Sequence, residues 1–336
     1  MEYTCFSISW FRFIRIEFRG HLSLEMLKMI VEYRMLLFLF LLSGIIQSCS
    51  KIDLIDPIGF ETCIEADSIV FAVIGDYGKA GEPEEKVANL VKSWNPDFII
   101  TTGDNNYEYG ELKTIKRNIS DYYGDYIYNF DAPAEYQCNG KAFEDGVNRF
   151  FPSPGNHDAD NRDELKPYLN FFTLPQRETH YKFVWGAVSF YSLNSVAENV
   201  DEQKDWFYEQ LNLSVTAYNI VYFHHPPYTS GRHDNTEKMQ WDYYNSQVNI
   251  VLTGHNHIYS RMEKKGEEGL YYIVNGLGGK SLYKCSSVQL NDEEFDTFCY
   301  DDNYGAIKAT ATNNELVVEF YSIGQPTVPI DKIIIE

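Results

Sequence analysis

Acidic, amide, phenolic and imidazole side chains occur in five short motifs along the middle of the chain. The motifs begin at Asp76, Gly103, Gly155, Val221 and Gly254. The polar residues of each motif follow a short apolar run, and Gly or Pro accompanies them there. Oxygen donors suit hard cations and imidazoles suit divalent transition metals, so such a set could hold two metal ions and leave positions for water and substrate. The residue types therefore indicate a two-metal site.

The segments that precede the first motifs alternate between strand and helix patterns. Ser68–Ile74 is a β-branched and apolar run typical of a buried strand. Glu84–Ser93 has helical periodicity, and Pro96 separates it from the next apolar run, Phe98–Thr102. Strand–helix–strand alternation with short connections predicts βαβ units and an α/β fold.

Later segments continue this pattern. Asn219–Phe223 and Val248–Leu252 are predicted strands, and Asp201–Leu211 is a predicted helix. Tyr181–Leu193 alternates like a strand or hairpin, and Gly305–Ile323 is predicted to form two strands joined by a turn. Ligands gather at the carboxyl ends of strands in open α/β sheets, so we expect the five motifs at one edge of one sheet.

Taken together and in order, the motifs resemble those of purple acid phosphatases, which belong to the calcineurin-like metallophosphoesterases. The resemblance covers roughly residues 68–280. It implies a four-layer α/β/β/α sandwich and an acid phosphatase that hydrolyses phosphate monoesters with a metal-activated hydroxide. The motifs that carry it are Asp76-Tyr77-Gly78, Gly103-Asp104-Asn105-Asn106-Tyr107, Gly155-Asn156-His157-Asp158, Val221-Tyr222-Phe223-His224 and Gly254-His255-Asn256-His257.

The resemblance also implies roles for individual residues. Asp76, Tyr107 and His257 would bind a first metal ion, and Asp104 would bridge both ions. The pair would be Fe(III) with Fe(II), Zn(II) or Mn(II). The second ion would have one amide and two imidazole ligands, Asn156, His224 and His255.

One paired exchange distinguishes purple acid phosphatases from related phosphodiesterases and protein phosphatases. Those relatives usually carry a ligand His two residues after the first Asp, where this chain has Gly78. A Tyr107 phenolate would replace that imidazole, and it is a harder donor that favours Fe(III). The alternative is an ordinary core or surface tyrosine, because the chain has 26 of them.

Two further histidines are candidate catalytic residues. His157, beside Asn156, could contact phosphate or protonate the leaving oxygen. His233 follows His224 by nine positions and matches a histidine near the metals in purple acid phosphatases, although an ordinary loop histidine is the alternative. His225 is given no role, because neighbouring side chains generally point in different directions.

Composition limits the partners. The net charge of -21 disfavours a broad basic face, so we expect a small phosphorylated substrate and no nucleic acid. A phosphodiesterase or nucleotide hydrolase on the same scaffold is the alternative enzyme, because loops determine the leaving group. A metal-retaining exported binding protein without turnover is a less favoured alternative. The sequence leaves the oligomeric state open.

The N-terminal region predicts export. Leu36–Ile46 is an apolar run of signal-peptide length that follows Arg34, and it leads to Ile46-Gln47-Ser48-Cys49, which resembles a bacterial lipoprotein signal. A plain secretory peptide or an uncleaved anchor are the alternatives. The protein would be a periplasmic or cell-surface lipoprotein in a bacterium and secreted otherwise. Membrane contact would come only through a lipid at Cys49.

The predicted organisation has three parts. Residues 1–48 would be the leader, with translation starting at Met29 or Met35 as a further hypothesis, residues 49–66 a tether, and residues 67–336 the metallophosphoesterase domain. Four cysteines follow Cys49. Of their pairings, Cys285 with Cys299 is the easiest to form because the two flank one polar loop.

Overall fold

The computed structural model describes residues 63–160, 164–175, 179–286 and 293–336. The predicted leader and its possible starts, Cys49 and residues 50–62 of the predicted tether lie outside the described residues. Within the described ranges, no helix has the length and apolar character needed to cross a membrane.

Eight strands form the larger sheet. In spatial order they are β1 (Cys63–Ile64), β5 (Tyr181–Trp185), β6 (Val188–Ser192), β7 (Tyr218–Tyr222), β8 (Ile250–Thr253), β10 (Tyr271–Asn275), β9 (Tyr259–Lys264) and β11 (Phe295–Tyr300). Four consecutive strands in the middle, β6, β7, β8 and β10, run parallel. Parallel strands need covering elements on both faces, so this sheet must be buried on both sides.

Six strands form the smaller sheet. In spatial order they are β14 (Asp331–Ile335), β13 (Leu316–Ser322), β12 (Gly305–Thr312), β2 (Ser68–Ile74), β3 (Phe98–Thr101) and β4 (Phe150–Pro152). Strands β2, β3 and β4 are parallel, and the C-terminal strands join them antiparallel through β12. The predicted strands at 68–74, 98–102 and 305–323 are confirmed within one or two residues.

Most helices are short, and two are long. The α-helices are α1 (Glu82–Ser93), α2 (Leu112–Ile115), α3 (Asp121–Tyr123), α4 (Lys141–Asp145), α5 (Asn156–Ala159), α6 (Lys166–Phe171) and α7 (Asp201–Asn212). A π-helical turn spans Lys116–Ser120, and 3₁₀ turns span Gly124–Tyr126, Ala134–Tyr136 and Glu237–Met239. The two helices predicted from the sequence correspond to α1 and α7.

Aromatic side chains fill the space between the two sheets. The Phe98 ring of the smaller sheet stacks on Trp185 of the larger sheet, with centroids 4.6 Å apart. Phe71 meets Phe190 edge to face at 5.1 Å, and Phe98 meets Phe183 at 5.7 Å. Buried aromatic rings carry large apolar area, so this layer holds the sheets face to face.

Helices cover the outer faces. Phe207 and Leu211 of α7 pack with Val221 of β7 in a second apolar cluster on the outside of the larger sheet. Val87 and Val91 of α1 are buried in the main core with the smaller sheet. The four-layer α/β/β/α sandwich expected from the sequence is therefore confirmed.

Near the cysteines, the end of the predicted tether pairs with the larger sheet, and one predicted disulfide is present. Cys63–Ile64 forms β1 and pairs in parallel with Val184 and Trp185 of β5. Cys63 is buried, so this end of the predicted tether packs against the domain. The predicted disulfide between Cys285 and Cys299 is present and joins the segment after β10 to β11.

A buried carboxyl group on α1 gives the fold a pH dependence. Glu84 is fully buried, and burial raises its pKa to about 10. The folded state therefore keeps a proton that the unfolded chain loses above its ordinary pKa of 4.5. Stability must fall as pH rises from this value towards 10, by at most about 1.4 kcal/mol per pH unit.

We predict that Glu84→Gln removes this slope, because the amide has no proton to lose. Urea unfolding between pH 5 and pH 9 should show the variant gaining stability over the wild type as pH rises. The matched control is Glu85→Gln, since Glu85 is the exposed neighbour on the same helix. Equal slopes for the wild type and Glu84→Gln would show that the carboxyl is not held neutral.

Candidate metal centre

The predicted ligands follow strands of both sheets. Asp76, Asp104 and Asn156 come after β2, β3 and β4 of the smaller sheet, whereas His224 and His255 come after β7 and β8 of the larger sheet. The expectation that all motifs share one edge of one sheet is therefore wrong. Because the two sheets pack face to face, the ends of their parallel strands can supply one site together.

Three of these residues have a backbone conformation that is uncommon outside glycine. Asp76 has φ of 52°, Asp104 of 53° and His255 of 66°. This left-handed region costs free energy and is found at sites where the surrounding structure enforces it. One enforcing contact is the His255 N–H, which donates to Asp76 Oδ2 at 2.9 Å. The strand ends are thus bent to direct side chains towards one another.

Two glycines permit the close approach of the loops. Gly103 has φ of 95°, and a side chain there would run into the His224 ring. A side chain at Gly155 would overlap Asp104. Both positions therefore need glycine so that the loop after β3 can touch the loops after β4 and β7.

A first set of donor atoms surrounds the Tyr107 hydroxyl. Tyr107 Oη lies 3.1 Å from Asp76 Oδ1, 2.8 Å from Asp104 Oδ2 and 3.4 Å from His257 Nε2. His257 Nε2 is also 3.3 Å from Asp76 Oδ1. Two carboxylate oxygens, a phenol oxygen and an imidazole nitrogen therefore converge on one point.

A second set surrounds His224 Nε2. This atom lies 3.0 Å from Asn156 Oδ1, 3.2 Å from His255 Nδ1 and 3.4 Å from Asp104 Oδ1. Asp104 therefore presents Oδ2 to the first set and Oδ1 to the second. The structure brings all seven predicted ligands into these two adjoining sets.

Hydrogen bonds orient two of the imidazole rings. His224 Nδ1 is 2.9 Å from the Thr102 carbonyl oxygen, which can only accept, so Nδ1 carries a hydrogen and the lone pair that can bind a cation is on Nε2. His257 Nδ1 is 2.6 Å from Ser281 Oγ, which leaves its Nε2 facing the first set. Metal-binding histidines are commonly held through the other ring nitrogen in this way.

The charge balance of the site fits cations. Asp76 and Asp104 are buried, and in the described part of the chain their ion pairs are with imidazoles, not with Lys or Arg. Burial alone would raise the pKa of Asp104, but His224 and His157 hold it well below its usual range. Burial opposes charge on His224 as well, yet the Asp104 carboxylate raises its pKa to about 9. Buried negative charge of this kind attracts a cation, and the mixed oxygen and nitrogen donors suit a transition metal.

The space around Gly78 explains why this chain has Gly78 and Tyr107 in place of the ligand histidine that related phosphoesterases usually carry. A side chain at Gly78 would overlap the Asn105 carbonyl oxygen, so this position has no room for a ligand. The Tyr107 N–H donates to the Gly78 carbonyl at 2.8 Å. Tyr107 is buried like a core residue, but its hydroxyl also lies among the donor atoms.

The two candidate catalytic histidines both lie beside these donor sets. The His157 N–H donates to Asp104 Oδ1 at 2.8 Å, and its ring centroid is 4.4 Å from that of Tyr107. The His233 ring is 4.3 Å from the His255 ring. Both residues are therefore close enough to contact a molecule bound at the metal position.

Asp158 is a structural partner of the site for which the sequence predicted no role. Its carboxylate accepts from Gly155 N at 2.8 Å and from Asn105 N and Nδ2 at 3.1 and 2.9 Å. It thereby ties the loop that carries Asn156 to the loop that carries Asp104. Burial and the Asp104 charge raise the pKa of Asp158 to about 6. Its place directly after Asn156-His157 was the available signal.

His225 also lies at the site, and the expectation that it points away is wrong. Its ring centroid is 4.5 Å from His255 and 4.9 Å from His224. Ring and backbone nitrogens of His225 both contact Ser195 Oγ, at 3.0 and 2.9 Å. Ligand atoms of the three histidines lie within 4.8 Å of one another. No local signal could reveal this, because Ser195 lies thirty residues earlier.

The segment after β10 covers the first donor set. Tyr283 stacks on His257 with centroids 4.2 Å apart and planes 9° from parallel. Lys280 Nζ lies 4.3 Å from the Tyr107 ring centroid and pairs with Glu108, to which Lys79 also pairs. These residues lie outside the five motifs, so the sequence alone gave no signal of their place at the site.

We predict that Gly78→Ala lowers stability by about 1–3 kcal/mol, because the added methyl group displaces the Asn105 carbonyl beside Tyr107. The midpoint temperature of thermal unfolding and the metal content should both fall. The control is Gly81→Ala, where the nearest heavy atom to an added methyl group is 3.6 Å away. Equal stability and equal metal content in Gly78→Ala and Gly81→Ala would contradict the conclusion that Gly78 has no room for a side chain.

We predict that Asp158→Asn costs roughly 2–3 kcal/mol, because one amide cannot accept all the hydrogen bonds that the carboxylate accepts. Denaturant unfolding and metal analysis measure the loss. Asp160→Asn, two residues later and exposed, is the matched control. Unchanged stability and metal content in Asp158→Asn would show that this carboxylate does not tie the loops together.

The sequence is similar to those of plant purple acid phosphatases. The chain is 22% identical to Purple acid phosphatase 3 of Arabidopsis thaliana over 304 residues, which cover 76% of this chain and 75% of that protein. It is 22% identical to Purple acid phosphatase 17 of the same plant over 297 residues, covering 76% of this chain and 81% of that protein.

Two solved structures share the fold. Purple acid phosphatase PPD1 from yellow lupin (Lupinus luteus) seeds has a TM-score of 0.63 at 16% identity, covering 81% of this chain and 54% of that chain. GAP50, the anchor in the inner membrane complex of Plasmodium, has a TM-score of 0.59 at 18% identity, covering 80% of this chain and 88% of that chain. At these identities the likeness establishes the fold alone.

The family model for calcineurin-like phosphoesterases matches residues 69–259, more than half of the chain. This span contains all five motifs and every residue of the two donor sets. The chain therefore belongs to the calcineurin-like phosphoesterase family and is similar to purple acid phosphatases.

Proposed function

We propose that the protein is a phosphatase that hydrolyses small phosphate monoesters at a pair of metal ions. One observation carries the proposal: the two oxygens of Asp104 face two separate donor sets, as a bridging carboxylate would. Asp76, Tyr107 and His257 complete the first set. The second set consists of Asn156, His224 and His255.

The donor types support a choice of metals. The first set is rich in oxygen and contains a phenol, which favours Fe(III), and the second is rich in imidazole, which suits Fe(II), Zn(II) or Mn(II). Once bound, two such ions would polarise phosphate oxygens and lower the pKa of a water molecule at the site.

The side chains of the protein would supply proton transfer and orientation. His157 Nδ1 is 2.6 Å from the Glu108 carbonyl oxygen, which can only accept, so Nδ1 carries a hydrogen and Nε2 is the atom free to exchange a proton. In its charged form, His157 can therefore give a proton to the leaving oxygen of a monoester. His233 is a second candidate for this step, because its ring lies beside His255.

Export is a separate proposal. The apolar run Leu36–Ile46 supports an export signal, and Cys49 supports lipidation in a bacterial host. The Cys285–Cys299 disulfide supports an oxidising location, because such bonds persist mainly outside the cytosol.

The activity is tested with His157→Asn. The main-chain N–H that binds Asp104 remains, so we expect full metal content and a kcat about 10²–10⁴-fold lower on p-nitrophenyl phosphate. The matched control is His180→Asn, because His180 contacts Trp206 and not the donor sets. Metal analysis accompanies the kinetics.

Three outcomes are informative. Loss of rate with metal retained supports the phosphatase. Faster hydrolysis of bis(p-nitrophenyl) phosphate than of the monoester by the wild type would favour a phosphodiesterase instead. Metal binding without hydrolysis of either ester would favour a non-catalytic binding protein.

A further inference from the structure

The loop 229–233 is fixed against the residue between two of the predicted ligands. Asn256 lies between His255 and His257. The His233 N–H donates to Asn256 Oδ1 at 2.8 Å, and Asn256 Nδ2 donates to Thr229 Oγ1 at 3.0 Å. A side chain at Gly231 would overlap Asn256. The backbone on both sides of residue 232 is therefore held at the metal centre.

The side chain of Arg232 lies over an aromatic ring that touches this centre. Its guanidinium carbon is 5.4 Å from the centroid of the Tyr283 ring. Tyr283 in turn stacks on His257 and donates its N–H to the His257 carbonyl at 2.9 Å. One aromatic ring therefore separates the guanidinium from a predicted metal ligand.

Arg232 differs in its ion pairing from the other cations near the site. Lys79 and Lys280 both pair with the carboxylate of Glu108, which balances one of their two charges and holds both ammonium groups in place. Arg232 is exposed, and among the described residues it has no carboxylate partner. In a chain of net charge -21, this guanidinium is available to an anion that approaches the metal centre.

We propose that Arg232 determines specificity by binding a second anionic group of the substrate, beside the phosphate that is hydrolysed. This inference rests on the proposed phosphatase function and names the substrate class: small phosphate compounds that carry a further phosphate or carboxylate. A guanidinium binds either group with two parallel hydrogen bonds, and the Tyr283 ring limits the positions it can take. Hydrolysis itself is unchanged: water adds to phosphorus, the phosphorus–oxygen bond to the leaving group breaks, and the leaving oxygen takes a proton.

The kinetic test compares substrates that differ by one anionic group. For wild type, Arg232→Gln and Arg232→Lys, kcat/KM is measured on 3-phosphoglycerate against glycerol 3-phosphate, and on pyrophosphate against p-nitrophenyl phosphate. We expect both ratios to fall about tenfold in Arg232→Gln, mainly through KM, because one charged contact is lost. Both ratios for Arg232→Lys should lie between those of the wild type and Arg232→Gln, because lysine keeps the charge and lacks the planar pair of donors.

A control and a binding experiment complete the test. Lys332→Gln changes the net charge equally, on β14 at the edge of the smaller sheet, and should leave both ratios unchanged. Calorimetry of the metal-loaded protein with pyrophosphate and with phosphate measures recognition without turnover. We expect Arg232→Gln to weaken the binding of pyrophosphate about tenfold more than the binding of phosphate.

The two failures are distinguishable. An inactive wild type that still shows the pyrophosphate effect would overturn the phosphatase and retain the second-anion contact. If Arg232→Gln leaves both kcat/KM ratios unchanged and weakens the binding of pyrophosphate and phosphate equally, the proposed role of Arg232 is overturned. The proposed phosphatase activity would then stand. A fall in only one ratio would support the proposal for that anion, phosphate or carboxylate, and exclude the other.

Discussion

The structure of the site depends on the burial of two carboxylates, Asp76 and Asp104, at the junction of two sheets. A buried carboxylate is costly unless positive charge accompanies it. Here the surrounding partners are imidazoles and a phenol, and these are also good metal donors. The arrangement is therefore consistent only with compensation by protons on the histidines or by cations, and the converging donor atoms favour cations.

Several features of the fold serve this junction. Gly103 and Gly155 let three loops meet at Asp104, and the left-handed residues at the strand ends turn side chains inward. Asp158 then joins two of these loops through hydrogen bonds to main-chain and side-chain donors. The aromatic layer between the sheets holds the strand ends in place, so the site inherits its rigidity from the core.

Much of the fold could be predicted because its signals are local. The apolar runs at β2, β3 and β7 and the helical periodicity of α1 appear in short stretches of sequence. The order of strands in the larger sheet was harder to predict from the sequence. Strand β9 (Tyr259–Lys264) mixes polar and apolar residues. It forms a local hairpin with β10, but its pairing with β11 joins segments distant in sequence. The contribution of both sheets to one site has the same non-local origin.

The site also combines features with local sequence signals and features that depend on contacts distant in sequence. Ordered motifs identified the residues that now lie in the two donor sets, because each motif combines ligand types with a strand end. The positions of His225, Tyr283 and Arg232 depend on Ser195, on the segment after β10 and on Asn256. Such contacts between segments distant in sequence are visible only in three dimensions.

Metal analysis combined with visible absorption spectroscopy tests the central claim most directly. Purified protein, stripped with a chelator and reconstituted with iron and a divalent ion, should bind about two metal ions per chain and show a broad visible band. The band should disappear in Tyr107→Phe, because the phenolate is its source. Fewer than about two ions per chain after reconstitution would contradict a bridged pair at Asp104.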